Sequence, residues 1–302
     1  MTTKTFNRRI ALAGLLLFMA PMFWAGNIVI ARAYRAELPP FGTTFWRWTL
    51  AAIVFLPFVW PLLRNQWPVI WREARFIAIL SLLGLSGFAS LMYSGLQTTT
   101  ALNASFIMAM SPVIIPLVVW LGSREGISIL HAIGIIVSAI GAIVIISAGN
   151  PLRLLQGNFN DGDLLVIGAM IVWSVYSVIV RYRPKDLHPN VLLWTTMVFG
   201  SLATLPLSLW EATTRPMPLS TNALMAISYI VLFPSIGAYF CFNRGIEIVC
   251  PNKGGLAMHL VPLFSAVLAV LFLGEAFQTY HGAGILAIFL GIGLVTRAGN
   301  RS

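Results

Sequence analysis

The sequence predicts an all-α integral membrane protein, with ten transmembrane helices arranged as a 5+5 inverted-topology repeat and both termini cytoplasmic. Three observations predict it. Of 302 residues, 58% are apolar and only 9% charged, with a mean hydropathy of +0.86, whereas about a quarter of the residues in soluble domains are charged. The apolar residues fall into ten segments, each near the roughly 20 residues that a spanning helix needs. The chain also repeats itself: a shift of 150 residues lays Met108 on Met258, Pro112 on Pro262, Leu121 on Leu271 and Glu125 on Glu275.

The segments lie at 10–31, 41–62, 75–96, 100–122, 129–148, 162–181, 189–209, 222–243, 252–273 and 280–297. Loops are short, and the longest linker is Asn150 to Asp161. The first segment follows Lys4, Arg8 and Arg9 and could pass for a secretory signal. Its apolar run exceeds the roughly 7 to 15 residues of a signal core, and WAGNIVIAR at Trp24 to Arg32 pairs with WSVYSVIVR at Trp173 to Arg181. It is therefore expected to stay in the fold. GFASLMYSGLQ at Gly87 to Gln97 likewise matches GAYFCFNRGIE at Gly237 to Glu247, whereas the second and seventh segments match poorly. The halves are residues 1–149 and 150–302, together one transport domain. Five spans per half is an odd number, so the second half enters the membrane from the opposite side. Inverted repeats place a binding site near the midplane, at the repeat interface.

Basic residues are retained on the cytoplasmic side. With the N-terminus inside, 14 of the 19 Lys and Arg fall there. Arg32, Arg35, Arg153 and Arg215 fall outside, and Arg47 lies within a span. The net charge of +10 is thereby assigned to topology, and nucleic acid is not expected as a partner, since no basic patch with interleaved aromatics lies on a soluble face.

Pro112 and Pro262 lie about ten residues into their spans, where each removes an amide donor and loosens the preceding turn. The freed carbonyls need a partner in protein or cavity water, which suits a hinge or a ligand, or a packed kink with serine compensation. Glu125 and Glu275 end these helices and are expected to pair with a neighbour or cap the following helix. None of the nine acidic residues falls mid-span, so no intramembrane carboxylate is offered for proton exchange. Arg47 lies about two turns inside the second span. Burying it costs about 2.5–3.5 kcal/mol on insertion scales, so it should face protein or water, bound either to a substrate carboxylate or phosphate or to helix-end carbonyls. Lys253 and His259 begin the ninth span, and His259 is the mid-span group that titrates near neutral pH.

FWAGNIVIARAY in the first span, PPFGTTFWRW entering the second and ALNAS...SPVIIPLVVWLGSREG with its second copy carry a resemblance over essentially the whole chain. The sequence resembles the bacterial drug/metabolite transporter superfamily, EamA type. The resemblance implies a central cavity lined by spans 1, 3 and 4 and their partners 6, 8 and 9. Candidate lining residues on these spans are Trp24, Asn27, Tyr93, Asn103, Phe106, Met108, Trp173, Tyr176, Tyr239, Asn243, Met258 and His259, with Arg47 of the second span added for its buried charge and Pro112 and Pro262 as hinges. An aromatic wall with scattered amides suits an amphipathic small molecule such as an amino acid or its derivative.

The expected function is secondary transport of small organic metabolites across the bacterial inner membrane by alternating access. Export is the direction the resemblance implies, with an importer or exchanger for a carboxylate- or phosphate-bearing substrate as the alternative. Coupling is open between uniport, exchange against a counter-substrate and proton coupling through His259. Small residues at every fourth position, Gly134, Ser138 and Ala142, with Ala283, Ala287 and Gly291, allow close helix approach, in a monomer or a homodimer. No cofactor or metal is expected: the four histidines show no HxxxH or HExxH spacing, and neither GxSxG nor a P-loop occurs. A membrane-embedded transferase and a receptor or scaffold are the non-transport readings.

Overall fold

The structure is a computed structural model. It describes residues 3–123, 129–150, 152, 156, 160–249, 257–258 and 260–299. The helices are α1 (Thr3–Ala33), α2 (Pro40–Arg72), α3 (Ala74–Thr98), α4 (Ala101–Met108), α5 (Ser111–Ser123), α6 (Ile129–Ile146), α7 (Asp161–Tyr182) and α8 (Pro189–Ala212). They are followed by α9 (Thr221–Leu232, Phe233–Gly237 and Ala238–Val249 in succession), α10 (Leu260–Leu273) and α11 (Thr279–Gly299). No strand occurs among the described residues. Helices are what the composition requires, because the hydrocarbon core offers backbone groups no hydrogen-bond partner.

Among the described residues, six helices are long and apolar enough to cross a membrane: α1 from Ala11, α2, α3, α7, α8 and α9. The pair α4 and α5, bent by 46° at its break, makes a seventh when taken as one span. Ala132–Ile146, Leu260–Leu273 and Thr279–Val295 are shorter apolar helices. Large apolar side chains such as Phe58, Leu121, Leu271 and Phe272 point outward, as a lipid-facing surface requires.

Helix α2 opens on Pro40, whose missing N–H and fixed φ suit the first helical turn, and Glu211 accepts a free donor of that turn, the Gly42 N–H, at 2.8 Å. At 33 residues it is about 50 Å long, longer than the roughly 30 Å hydrocarbon core. Its last turns therefore project beyond that core, where Arg72 meets Asp186 at 2.5 Å.

Two wide π-helical stretches, Ser81–Gly87 in α3 and Phe233–Gly237 in α9, occupy positions related by the shift of 150. A π turn brings each residue against the carbonyl five positions earlier. A Cβ on Gly87 would stand 2.6 Å from the Leu82 carbonyl oxygen, and one on Gly237 3.2 Å from that of Leu232. Glycine at the end of each stretch lets the turn close.

Packing follows the same pairing. α1 lies against α9 and its π stretch, and α7 against α3 and its π stretch; α2 packs on α8, and α6 on α11. The α6–α11 contact is symmetrical in detail. Gly134 faces the Gly291 carbonyl, Gly141 faces the Gly284 carbonyl, and Ser138 Oγ donates to Ile288 O at 3.1 Å between them. The close face of α11 is therefore Gly284, Ile288 and Gly291, at helical spacing. The expected Ala283 and Ala287 sit one residue round the helix, and Ala283 is exposed. The main core joins α1, α3, α4, α7, α10 and α11 through Ile28, Leu96, Phe106, Met170, Val261 and Ile288.

Candidate functional site

Arg47 projects from the second turn of α2 into the space between α1, α3 and the π stretch of α9. Its Nε donates to Ser235 Oγ at 2.8 Å and its Nη1 to Tyr93 Oη at 2.9 Å. The tyrosine hydroxyl donates onward to Asn27 Oδ1 at 2.9 Å. The π turn presents Ser235, whose hydroxyl donates to Ile230 O five residues back at 2.7 Å. The guanidinium lies over the Trp48 ring, 4.3 Å from its centroid, a favourable cation–π position.

This chain of side chains is buried: Arg47 is 5% exposed, Tyr93 2% and Asn27 9%. Among the described residues the ion pairs are Arg32–Glu275, Arg72–Glu73 and Arg72–Asp186, so no carboxylate neutralises Arg47. Its two bonds use two of the five N–H donors of a guanidinium. A buried cation without a counter-charge is costly, and the remaining donors form a fork suited to an anion.

Aromatic rings flank the network from both halves. Trp24 meets Tyr239 edge-on at 5.7 Å and donates its Nε1–H to Pro234 O at 3.1 Å. Trp173 lies 5.1 Å from Tyr176 and 5.0 Å from Phe88. Tyr176 covers Gly84, where a Cβ would come within 2.4 Å of its ring. All five rings are half-buried.

A second polar assembly closes one face of the bundle, where α1, α3 and α10 end and α4, α7 and α11 begin. Glu275 accepts the Ala101 and Leu102 N–H groups at the start of α4, both at 2.9 Å, and lies 3.9 Å from Arg32 Nε. Arg32 in turn donates to the Leu96 and Gln97 carbonyls that end α3, at 2.9 and 3.1 Å. Asp163, in the first turn of α7, accepts from the Thr99 hydroxyl and from Asn103 Nδ2, and Asn103 Oδ1 lies 3.1 Å from His281 Nε2. Arg215 ties Gln97 and the Arg35 and Ala36 carbonyls on the same face. At the opposite face Arg72 holds Asp186, and that hydrogen bond keeps the Asp186 carboxyl below the usual range.

Of the expected lining residues, Asn27, Arg47 and Tyr93 form one network, while Trp24, Tyr239, Trp173 and Tyr176 form its aromatic flanks. Asn103 belongs instead to the Asp163 assembly, with Phe106 buried near it and 5.6 Å from His281. Met108, half-buried, ends α4 at the break before Pro112, where its carbonyl accepts Ser111 Oγ at 2.7 Å. That is the serine compensation one reading of the proline anticipated. Met258 accepts Val261 N–H at 3.2 Å just before Pro262. Asn243 is exposed on α9 and is not among the network's hydrogen-bond partners. His259, Lys253 and Glu125 lie outside the described residues.

Sequence reasoning did not anticipate Ser235, Trp48, Asp163 or His281 as site groups. Trp48 follows Arg47 directly, and Ser235 precedes the repeat-related Gly237, so both had a local signal. Asp163 and His281 looked like helix-end residues, and their cover comes from other helices.

The EamA-like transporter family model matches residues 11–147 and 160–297. The chain belongs to the EamA-like transporter family. The Bacillus subtilis (strain 168) "Uncharacterized transporter YyaM" is 25% identical over 295 residues, covering 96% of this chain and 93% of that protein. An "Uncharacterized transporter" of Archaeoglobus fulgidus is 25% identical over 283 residues, covering 93% and 96%. A solved crystal structure with 20% identity superposes with a TM-score of 0.61, covering 96% of this chain and 98% of that one, which supports the fold. This EamA-like transporter is accordingly a multi-pass protein of the cell membrane, and its family and relatives are named as transporters rather than enzymes.

Proposed function

We propose that the chain is a secondary transporter that moves small organic metabolites bearing a carboxylate, amino acids or related amphipathic compounds, across the membrane by alternating access. One observation carries this reading. Arg47 is a buried cation with no carboxylate partner among the described residues, held by groups from α1, α3 and α9, so that an anionic solute would complete its fork. Trp24, Tyr239, Trp173 and Tyr176 would flank the solute's apolar part.

On this reading residues 1–149 and 150–302 are inverted repeats, the three shorter apolar helices complete ten spans, and Pro112 and Pro262 are the hinges. The basic-residue bias favours cytoplasmic termini, which makes the Glu275 face the outer one. Export rests on analogy with the family.

The test begins with a thermal-shift screen of purified protein against amino acids, nucleosides, sugars and polyamines, because a ligand of the native state raises its apparent stability. Flux of the hit is then followed in proteoliposomes. Arg47→Ala and Trp24→Ala are expected to abolish flux while leaving folded protein, and normal flux in both sinks the assignment. Binding without flux identifies a receptor, and uptake without efflux from preloaded vesicles reverses the direction.

A further inference from the structure

We propose that Asp163 is a proton-binding site of the closed outer face, holding a proton while α4 is docked on α7 and releasing it when they separate. Its carboxyl is 1% exposed and has one close contact, with the Thr99 hydroxyl, and two long ones, 3.3 and 3.4 Å, to Asn103 Nδ2. A carboxylate offers about four lone-pair sites, so an ionised Asp163 would be under-solvated in this position. The start of α7 favours negative charge through its dipole, which is the force the proton must outweigh.

Among the described residues, no cation contacts Asp163 to replace the proton. The elements packed against α7 are the Ser81–Gly87 and Phe88–Thr98 stretches of α3, α4 and α5. They contain no Lys, Arg, Asp, Glu or His. Their titratable group is Tyr93, bonded to Arg47 and Asn27, and on α7 itself Asp161 is exposed. Beyond Asn103 stands His281. Its Nδ1 accepts the Gln278 N–H at 3.0 Å, so its ring proton sits on Nε2 and donates to Asn103 Oδ1. This fixes the amide with its NH2 toward Asp163 and holds His281 neutral, since a second ring proton would face the Gln278 N–H. The nearby charges Arg32 and Glu275 engage one another and the ends of α3 and α4. Asp163 is thus the group of this assembly free to exchange a proton.

The first turn of α4 is the hub of the closure, with Glu275 on its backbone N–H groups and Asn103 between Asp163 and His281. Separating α4 from α7 would admit water. The proton would then pass from an Asp163 oxygen to water, leaving a carboxylate, and reclosure would require a proton back from the outer solution. The proton site does not depend on the transported solute, whereas its link to opening rests on the alternating-access reading.

Infrared difference spectra of the reconstituted full-length protein test the site. At neutral pH the carbonyl stretch of a neutral carboxylic acid is expected, and Asp163→Asn, which keeps the shape, should remove it. Thr99→Val retains the acid and should shift the band, which keeps the test decisive if the first variant fails to fold. A band unchanged in both variants, or no band in the parent, overturns the proposal. Arg153 lies outside the described residues, so Arg153→Gln is the control: a new neutral-acid band on that substitution identifies an ion pair instead and also overturns it. The link to opening is read separately, by labelling Ala101→Cys from outside in a Cys241→Ala, Cys250→Ala background. The ratio of its rate to that in the added Asp163→Asn variant cancels intrinsic thiol reactivity. A ratio rising several-fold from about pH 6 to about pH 9 supports coupling; a flat ratio, with the infrared band present, removes the gating role and leaves the proton site.

Discussion

Replacing Arg47 with methionine separates a solute-binding role from a structural one, because only the structural role predicts a large fall in stability. Methionine keeps the length and apolar body of the side chain and removes the charge. The bonds lost are those to Ser235 and Tyr93, each worth about 1.5–3 kcal/mol as a hydrogen bond to a charged group, together about 3–6 kcal/mol. The contact over Trp48 adds about 2 kcal/mol. Against this stands the desolvation of an unpaired guanidinium, an effective penalty of several kcal/mol. Neither partner is orphaned, since Ser235 still donates to Ile230 O and Tyr93 to Asn27. The terms therefore cancel to within a few kcal/mol, and the methionine variant is expected to unfold within a few degrees of the parent.

Solute binding has no such cancellation. A bidentate charge-assisted contact contributes about 3 kcal/mol, so the affinity for a carboxylate solute should fall about 100-fold. Thermal unfolding in detergent, with and without the solute found by screening, reads both quantities on one sample. A fall in the unfolding midpoint with unchanged solute affinity would assign Arg47 to holding helices together and refute the reasoning.

Three further outcomes follow from named contacts. Gly87→Ala should lower stability by about 1–3 kcal/mol, as an overpacked position does, and Gly237→Ala by less, because the added carbon meets its carbonyl at 3.2 rather than 2.6 Å; unfolding midpoints in the reverse order would exclude the π-turn explanation. Asp186 titrates below its usual value because Arg72 bonds it, so the pair stabilises above the unfolded carboxyl value near 4 and is lost as pH falls through the lower folded value; the unfolding midpoints of the parent and Arg72→Gln should therefore converge on acidification, and an equal gap at all pH values would exclude the pair. Glu275→Gln should cost about 1 kcal/mol as a weakened helix cap, and Arg32→Gln should carry its own loss through the Leu96 and Gln97 carbonyls, with the double variant falling short of the sum because the two share a contact; full additivity of the two losses would show that they act apart.

How much of this was readable in the chain differs by residue. Gly87 and Gly237 stood out at the shift of 150, yet hydrophobic patterning does not distinguish a π turn from an α turn, so the widening that presents Ser235 was hidden. Arg47 was legible because a lone charge inside an apolar run must find a partner, and Tyr93 and Asn27 had the right depth for it. Asn243 has the depth expected of Tyr93's counterpart but is exposed, because position along a helix gives depth and not the direction of its neighbours. Asp163 was missed for the converse reason. It begins a helix and so looked interfacial, while Thr99 and Asn103 cover it from the side.

The features that occur twice and those that occur once divide along functional lines. Pro112 and Pro262, Gly87 and Gly237, and Gly134 and Gly284 are pairs at the shift of 150, and each concerns how helices bend or approach. The chemistry is single. Arg47 has no counterpart, since α8 carries no Lys or Arg, and the positions matching Tyr93 and Asn27 hold Asn243 and Tyr176. On the proposed alternating-access reading, a device that opens to alternate faces would need its moving parts in two opposed copies. It would need only one charge to meet a solute arriving from either side, and a second buried cation there would repel the first and add its own desolvation cost.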